Sequence, residues 1–132
     1  MGKTKGKTKG KTNALRAIIQ KNINEIVSCY YRTADAAAIY PHAVYDFENI
    51  DLGDIHRDDL ILIVDVWGKG TDTSGIEEIA DMIESRFNAA NMPGEEVLPT
   101  FYRIGRKPID DEDKTIIRRQ LKFQIQNYAI GG

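Results

Sequence analysis

Leu15, Ile18, Ile19, Ile23, Ile26 and Val27 fall at offsets 0, 3, 4, 8, 11 and 12, with Arg16, Gln20, Asn24 and Glu25 between them. One apolar stripe of period 3.6 predicts an amphipathic helix beginning near Asn13, with Thr12 or Asn13 as N-cap, packed on the protein's own sheet. From Ala43 the period changes to two: Ala43, Tyr45 and Phe47 share one face, and Val44, Asp46 and Glu48 the other. Leu60 to Trp67 is the strongest strand, apolar on both faces except at Asp65, so it belongs in the middle of a sheet. The acidic stretch Asp51 to Asp59 joins the two strands as an antiparallel hairpin.

After Gly68, Lys69 and Gly70 the helical period returns in Ile76, Ile79, Ala80, Ile83 and Phe87, opened by Asp72, Thr73 or Ser74, and Ser74 with Glu77 matches a capping box. Asn91, Met92, Pro93 and Gly94 close this helix. A second hairpin follows, outward over Thr100 to Ile104 and returning over Ile116 to Tyr128. In the returning strand Ile117, Leu121, Phe123 and Ile125 alternate with Arg118, Gln120, Lys122, Gln124 and Gln126. The segment RTADAAAIYP before Ala43 has no clear period and reads as a loop or a short irregular strand. These elements predict an α+β domain, a four-stranded antiparallel sheet with two helices packed on one face, in the order α-β-β-α-β-β. Ile19, Ile63, Ile83, Phe123 and Ile125 are expected in its core.

Residues 2 to 12 read GKTKGKTKGKT, without one apolar side chain. Residues 1–12 are therefore expected to be a disordered basic tail, and 13–132 a single domain. The repeated GKT is not a phosphate-binding loop: three residues separate its glycines where that motif needs four, and no strand precedes it. Nonspecific electrostatic contact fits its lysines better than specific nucleic-acid recognition.

Composition narrows the picture further. A chain of 132 residues with 42% hydrophobic and 29% charged residues suits one folded domain. The net charge of −2 argues against a nucleic-acid clamp, and the longest apolar run, Leu60 to Val64, is too short to span a bilayer. No signal-peptide core interrupts the charged N-terminal region, and the single cysteine, Cys29, excludes an intramolecular disulfide, so folding in the cytoplasm is expected.

Chemistry is sparse. Asp46 with Glu48 and Asp58 with Asp59 are explained by a solvated strand face and an acidic turn. His42 and His56 match no compact metal-ligand spacing, and Cys29 at the end of an apolar helix reads as a small buried hydrophobe. No GxSxG, GxGxxG or HExxH pattern occurs. No catalytic residue, cofactor or metal is expected, and the protein is read as a non-enzyme. Two features stand out as candidate interfaces. Asp65 interrupts a strand of Leu, Ile and Val, so it needs a partner within the fold or between subunits. The other is the hairpin tip from Gly105 to Lys114, which sets Arg106 and Lys107 against Asp110, Asp111, Glu112 and Asp113 where a two-residue turn would have sufficed.

Tyr40-Pro41, then Val44-Tyr45, an apolar strand ending in Asp65-Val66-Trp67, a short polar break and an Ile-rich helix resemble the tail completion proteins of tailed bacteriophages and prophages. These are also described as tail terminator or head-tail joining proteins. The likeness runs over about residues 14 to 128 as an order of elements and is concentrated in 40 to 87. It implies a virion structural protein, made in the bacterial host cytoplasm, that forms a homo-oligomeric ring, a hexamer among the options. Its implied neighbours are tail tube or head-tail connector proteins. The alternative is a small nucleic-acid or protein binding module that uses the basic N-terminal tail.

Overall fold

A computed structural model describes residues 10–50 and 57–129 of the chain. The elements run α1 (Lys11–Asn24), β1 (Cys29–Tyr31), β2 (His42–Ile50), β3 (Arg57–Lys69), α2 (Ser74–Phe87), β4 (Ala90–Asn91), β5 (Val97–Pro108) and β6 (Ile116–Ala129). All strands join one sheet in the order β1-β2-β3-β6-β5-β4. The α+β class holds, but the four-stranded antiparallel sheet does not. The sheet has six strands and is mixed, because β1 pairs with β2 in parallel while every other pair is antiparallel. The two extra strands are edge pieces of three and two residues. Pieces this short carry no readable period, and their pairing partners alone define them.

The long strands lie where the alternation puts them. Tyr45 pairs with Val64, Val64 with Leu121, and Leu62 with Phe123, so their side chains share one face and are buried there. Both helices cover this face. The Tyr45 hydroxyl donates to the Arg16 carbonyl of α1 at 3.3 Å. On α2, Phe87 meets Phe101 edge-on at 4.9 Å and Phe123 at 5.7 Å. Between the helices, Arg86 reaches Glu25 at 2.9 Å. Ile19, Ile83, Phe123 and Ile125 are fully buried, as expected.

Ile63 is the exception among the expected core residues. It is half-buried on the opposite face, paired with Asp46 and Lys122, while Leu62 and Val64 supply the core. A strand apolar on both faces gives no internal sign of which face is covered. The partner strand β6, with its strict alternation, decides it.

The helix starts also differ in detail. Gly10 is the N-cap of α1, with Lys11 and Thr12 already helical and no side-chain cap. The expected tail therefore ends inside a helix, and residues 1–9 lie outside the described residues. The Ser74–Glu77 capping box does not form: Thr73 is the N-cap of α2, and Asp72 accepts the Ser74 N–H at 2.9 Å. Glu77 turns away from the helix start toward two arginines, whose charged hydrogen bonds are stronger than a neutral backbone contact.

Candidate functional site

The sheet has a covered side and an open side, and the expected interface residues divide between them. On the covered side, acidic residues of α2 at spacings of four and three, Glu77, Asp81 and Glu84, face the last strands. Arg106 lies among them, 2.5 Å from Glu77 Oε1, 2.6 Å from Asp81 Oδ1 and 2.9 Å from Glu84 Oε1. Arg103 Nε adds a second contact to Glu84 at 2.9 Å, and Arg119 one to Glu77 at 3.2 Å. Burial works against the charge of Arg106, but its hydrogen bonds to Asp81, Glu77 and Glu84 outweigh that and hold it above its ordinary range. The Arg106 hydrogen bond draws the Glu77 carboxyl below its usual value against the opposing effect of burial, and Arg119 assists.

Arg106 therefore does not belong to the hairpin tip. Strand β5 continues to Pro108, so Gly105 to Pro108 are strand and the connection is only Ile109 to Thr115. In that connection Asp111 accepts the Asp113 N–H, and Asp113 accepts both the N–H and the hydroxyl of Thr115. Those two bonds from Thr115 lower the Asp113 carboxyl below its ordinary value. Asp111 and Asp113 thus shape the turn, while Lys107, Asp110 and Glu112 project into solvent.

On the open side, Asp65 has its partners within the chain. Arg118 approaches Oδ1 from Nη2 and Nε at 3.2 Å, and the Gln120 amide donates to the same oxygen at 3.2 Å. Arg118 also stacks its guanidinium 4.5 Å over Trp67, and Trp67 lies parallel to His42 at 6.3 Å. The periodicity contained this cluster, since Trp67 shares the parity of Asp65, and Arg118 that of the wet face of β6. It stayed hidden because only cross-strand register brings these residues together. An open groove of about 520 Å³ adjoins the cluster, flanked by Arg32, Tyr40, His42, Asp65, Trp67 and Arg118.

Chemistry of other kinds finds little footing. His42 is buried, with Nδ1 3.1 Å from the Ile39 carbonyl, to which it donates. His56 lies outside the described residues. Among the described residues no three His, Cys, Asp or Glu side chains are grouped to hold a metal ion. Cys29 is buried, and burial pushes its thiol up to about 12, as it does the Tyr45 hydroxyl. Among the described residues no helix is long and apolar enough to cross a membrane.

No protein-family model and no curated protein matches the chain. Among solved structures, the fold is similar to a chain in the virion of a native gene transfer agent particle, with a TM-score of 0.75 at 10% identity. That likeness covers 92% of this chain and 99% of the other, so the two share one fold across nearly their whole lengths.

Proposed function

We propose that this protein is a virion structural component of a phage or prophage, acting through surfaces rather than through catalysis. In this reading copies of the chain form a closed ring that completes the tail or joins it to the head. The supporting observation is the fold match, over 92% of this chain and 99% of the other, to a chain in the virion of a native gene transfer agent particle. The order of elements from Tyr40 to Phe87 points the same way. A fold match at 10% identity carries no residue roles, so the assembly role rests on the shared architecture and on this chain's own surfaces.

Deleting the gene from a particle-producing strain and imaging the particles tests the proposal. Heads without finished tails, or tubes of unregulated length, are expected, and complementation restores whole particles that contain the protein. Intact particles that form without it and never incorporate it would overturn the reading.

A further inference from the structure

Two stretches of sheet edge have no partner strand among the described residues, and they lie on opposite sides of the molecule. Strand β1 covers the outer edge of β2 only from Ala43 to Tyr45, which leaves Asp46 to Ile50 open. Strand β4 covers β5 only at Thr100 and Phe101, which leaves Tyr102 to Pro108 open. Open backbone edges are templates for pairing with another strand. We propose that these two edges are the contact between copies, β5 of one subunit adding antiparallel to β2 of the next; this rests on the ring reading above.

Direction, face and charge all agree with that pairing. Passing from β2 through β3 and β6 to β5 crosses three antiparallel steps, so β2 and β5 of one molecule run in opposite directions. A rotation that places the next copy alongside in the same orientation therefore sets β5 antiparallel to β2, with every helix on the same side. Such a contact is heterologous and closes into a ring if the rotation closes.

The register is fixed by what is free. Setting Asp46 opposite Lys107 places Phe47 opposite Arg106 and Glu48 opposite Gly105, up to the register shift between Arg103 and Gly105. It engages Asp46 to Glu48 of the open stretch of β2. Face parity is preserved: Asp46, Glu48, Gly105 and Lys107 belong to the open side, while Phe47 and Arg106 belong to the helix side. On β2 the residues that send backbone groups outward share the parity of Tyr45, whose carbonyl accepts the Arg32 N–H; on β5 Pro99, whose carbonyl accepts the Met92 N–H, pairs with Asn127, and beyond the register shift Arg106 takes the equivalent place opposite Leu121. Phe47 and Arg106 thus form the hydrogen-bonded pair, and the Phe47 N–H, bonded to its neighbour Asp46 Oδ1 at 2.8 Å, exchanges that carboxylate for a carbonyl. The released Asp46 then faces Lys107, an opposite charge directly across the strands. In the single molecule Asp46 forms a 3.6 Å ion pair with the exposed Arg32 besides that Phe47 contact.

Disulfide trapping tests the register in the full-length protein, using the double variant Glu48→Cys with Gly105→Cys. A Cβ at Gly105 meets nothing within 4 Å, and an opposed non-hydrogen-bonded pair brings two cysteines within bonding reach. Mild oxidation of the protein and of purified particles is expected to give a ladder of covalent oligomers ending at the ring number, while each single variant gives no ladder. Rings seen by electron microscopy without a ladder would overturn the edge contact and leave the ring reading standing. Absence of oligomers both in solution and in particles would overturn both. As a second measurement, Lys107→Asp weakens assembly by about two- to five-fold per contact, and adding Asp46→Lys restores it. No change on either substitution, with unfolding midpoints preserved, would count against the register.

Discussion

Replacing Arg106 by Ala removes the centre of the charged cluster between β5 and α2, and its effect follows from what is left behind. Glu84 is buried and keeps Arg103, and Glu77 keeps Arg119, so neither carboxylate is wholly abandoned. Stripping one partner from a fully buried ion pair costs about 3 to 5 kcal/mol. The Arg106 side chain retains 19% of its exposure and the neighbours retain partners, so solvent screening and residual pairing reduce this to roughly 1.5 to 3 kcal/mol. For a domain of this size that lowers the thermal midpoint by about 5 to 12 °C. Arg106→Lys should recover less than half of the loss, since a single ammonium cannot satisfy three carboxylates held at different angles.

Urea unfolding at pH 7 measures the effect, and a double-mutant cycle with Glu84→Gln isolates the pair, with a coupling of about 1 kcal/mol or more. Acidity supplies a further check. The folded-state pKa of Glu77 is depressed, so its contribution is full above its ordinary value of 4.5 and fades as pH falls through the folded value. The stability gap between parent and Arg106→Ala should accordingly narrow below about pH 4.5. A loss under roughly 0.5 kcal/mol with unchanged urea dependence would refute the inward placement of Arg106. Such a result would return that arginine to the surface as a candidate interface residue.

Three other outcomes follow from the same structure. Ile83→Ala should lose about 2 to 5 kcal/mol in urea unfolding, whereas Ile63→Ala, on the half-covered face, should lose roughly 1 kcal/mol or less; equal losses would mean the face assignment is wrong. Cys29, buried and pushed up to about 12, should resist a thiol reagent at pH 8 in the folded protein and label only as fast as the protein opens; rapid labelling would place it at the surface. A Cβ on Gly68 would sit 2.9 Å from Ile76 Cδ1, so Gly68→Ala should destabilise by about 1 to 3 kcal/mol, yet add little to Ile76→Val, where that methyl is gone; simple additivity of the two changes would refute the close approach.

What the sequence made legible was whatever repeats over enough residues. Helix α2 and strand β6 have clean periods of 3.6 and 2, and their buried faces come out as read, although α2 ends at Phe87, short of the expected Asn91 to Gly94, and Asn91 joins β4. Strand β3 was legible as a central strand but not as an oriented one, because Leu60 to Val66 is apolar at both parities apart from Asp65. Strands β1 and β4 were invisible, since three or two residues become a strand only when a neighbour supplies the hydrogen bonds. The capping-box signal was present yet lost to competition: Glu77 has one carboxylate, and two arginines brought in from β5 and β6 bind it more strongly than its own helix start.

The candidate interface shows how one residue can redirect a reading based on charge. Strict alternation from Phe101 would place Arg103 and Gly105 beneath the helices and send Arg106 to the open face. The register instead shifts between Arg103 and Gly105, where Ile104 is the extra residue of a bulge and is largely exposed. After that insertion the parity of β5 reverses. Arg106 then pairs with Leu121 on the covered side and meets α2, while Lys107 takes the row of Gln120 and Asp65 on the open side. Arg106 and Lys107 are adjacent and equally basic in the sequence, but the fold divides them, giving the first to internal stability and leaving the second at an unpaired edge. A charged stretch at the end of a hairpin is thus not a unit. Only the bulge decides which of its residues stay at the open edge, and a bulge in a β-strand leaves almost no mark on hydrophobic periodicity.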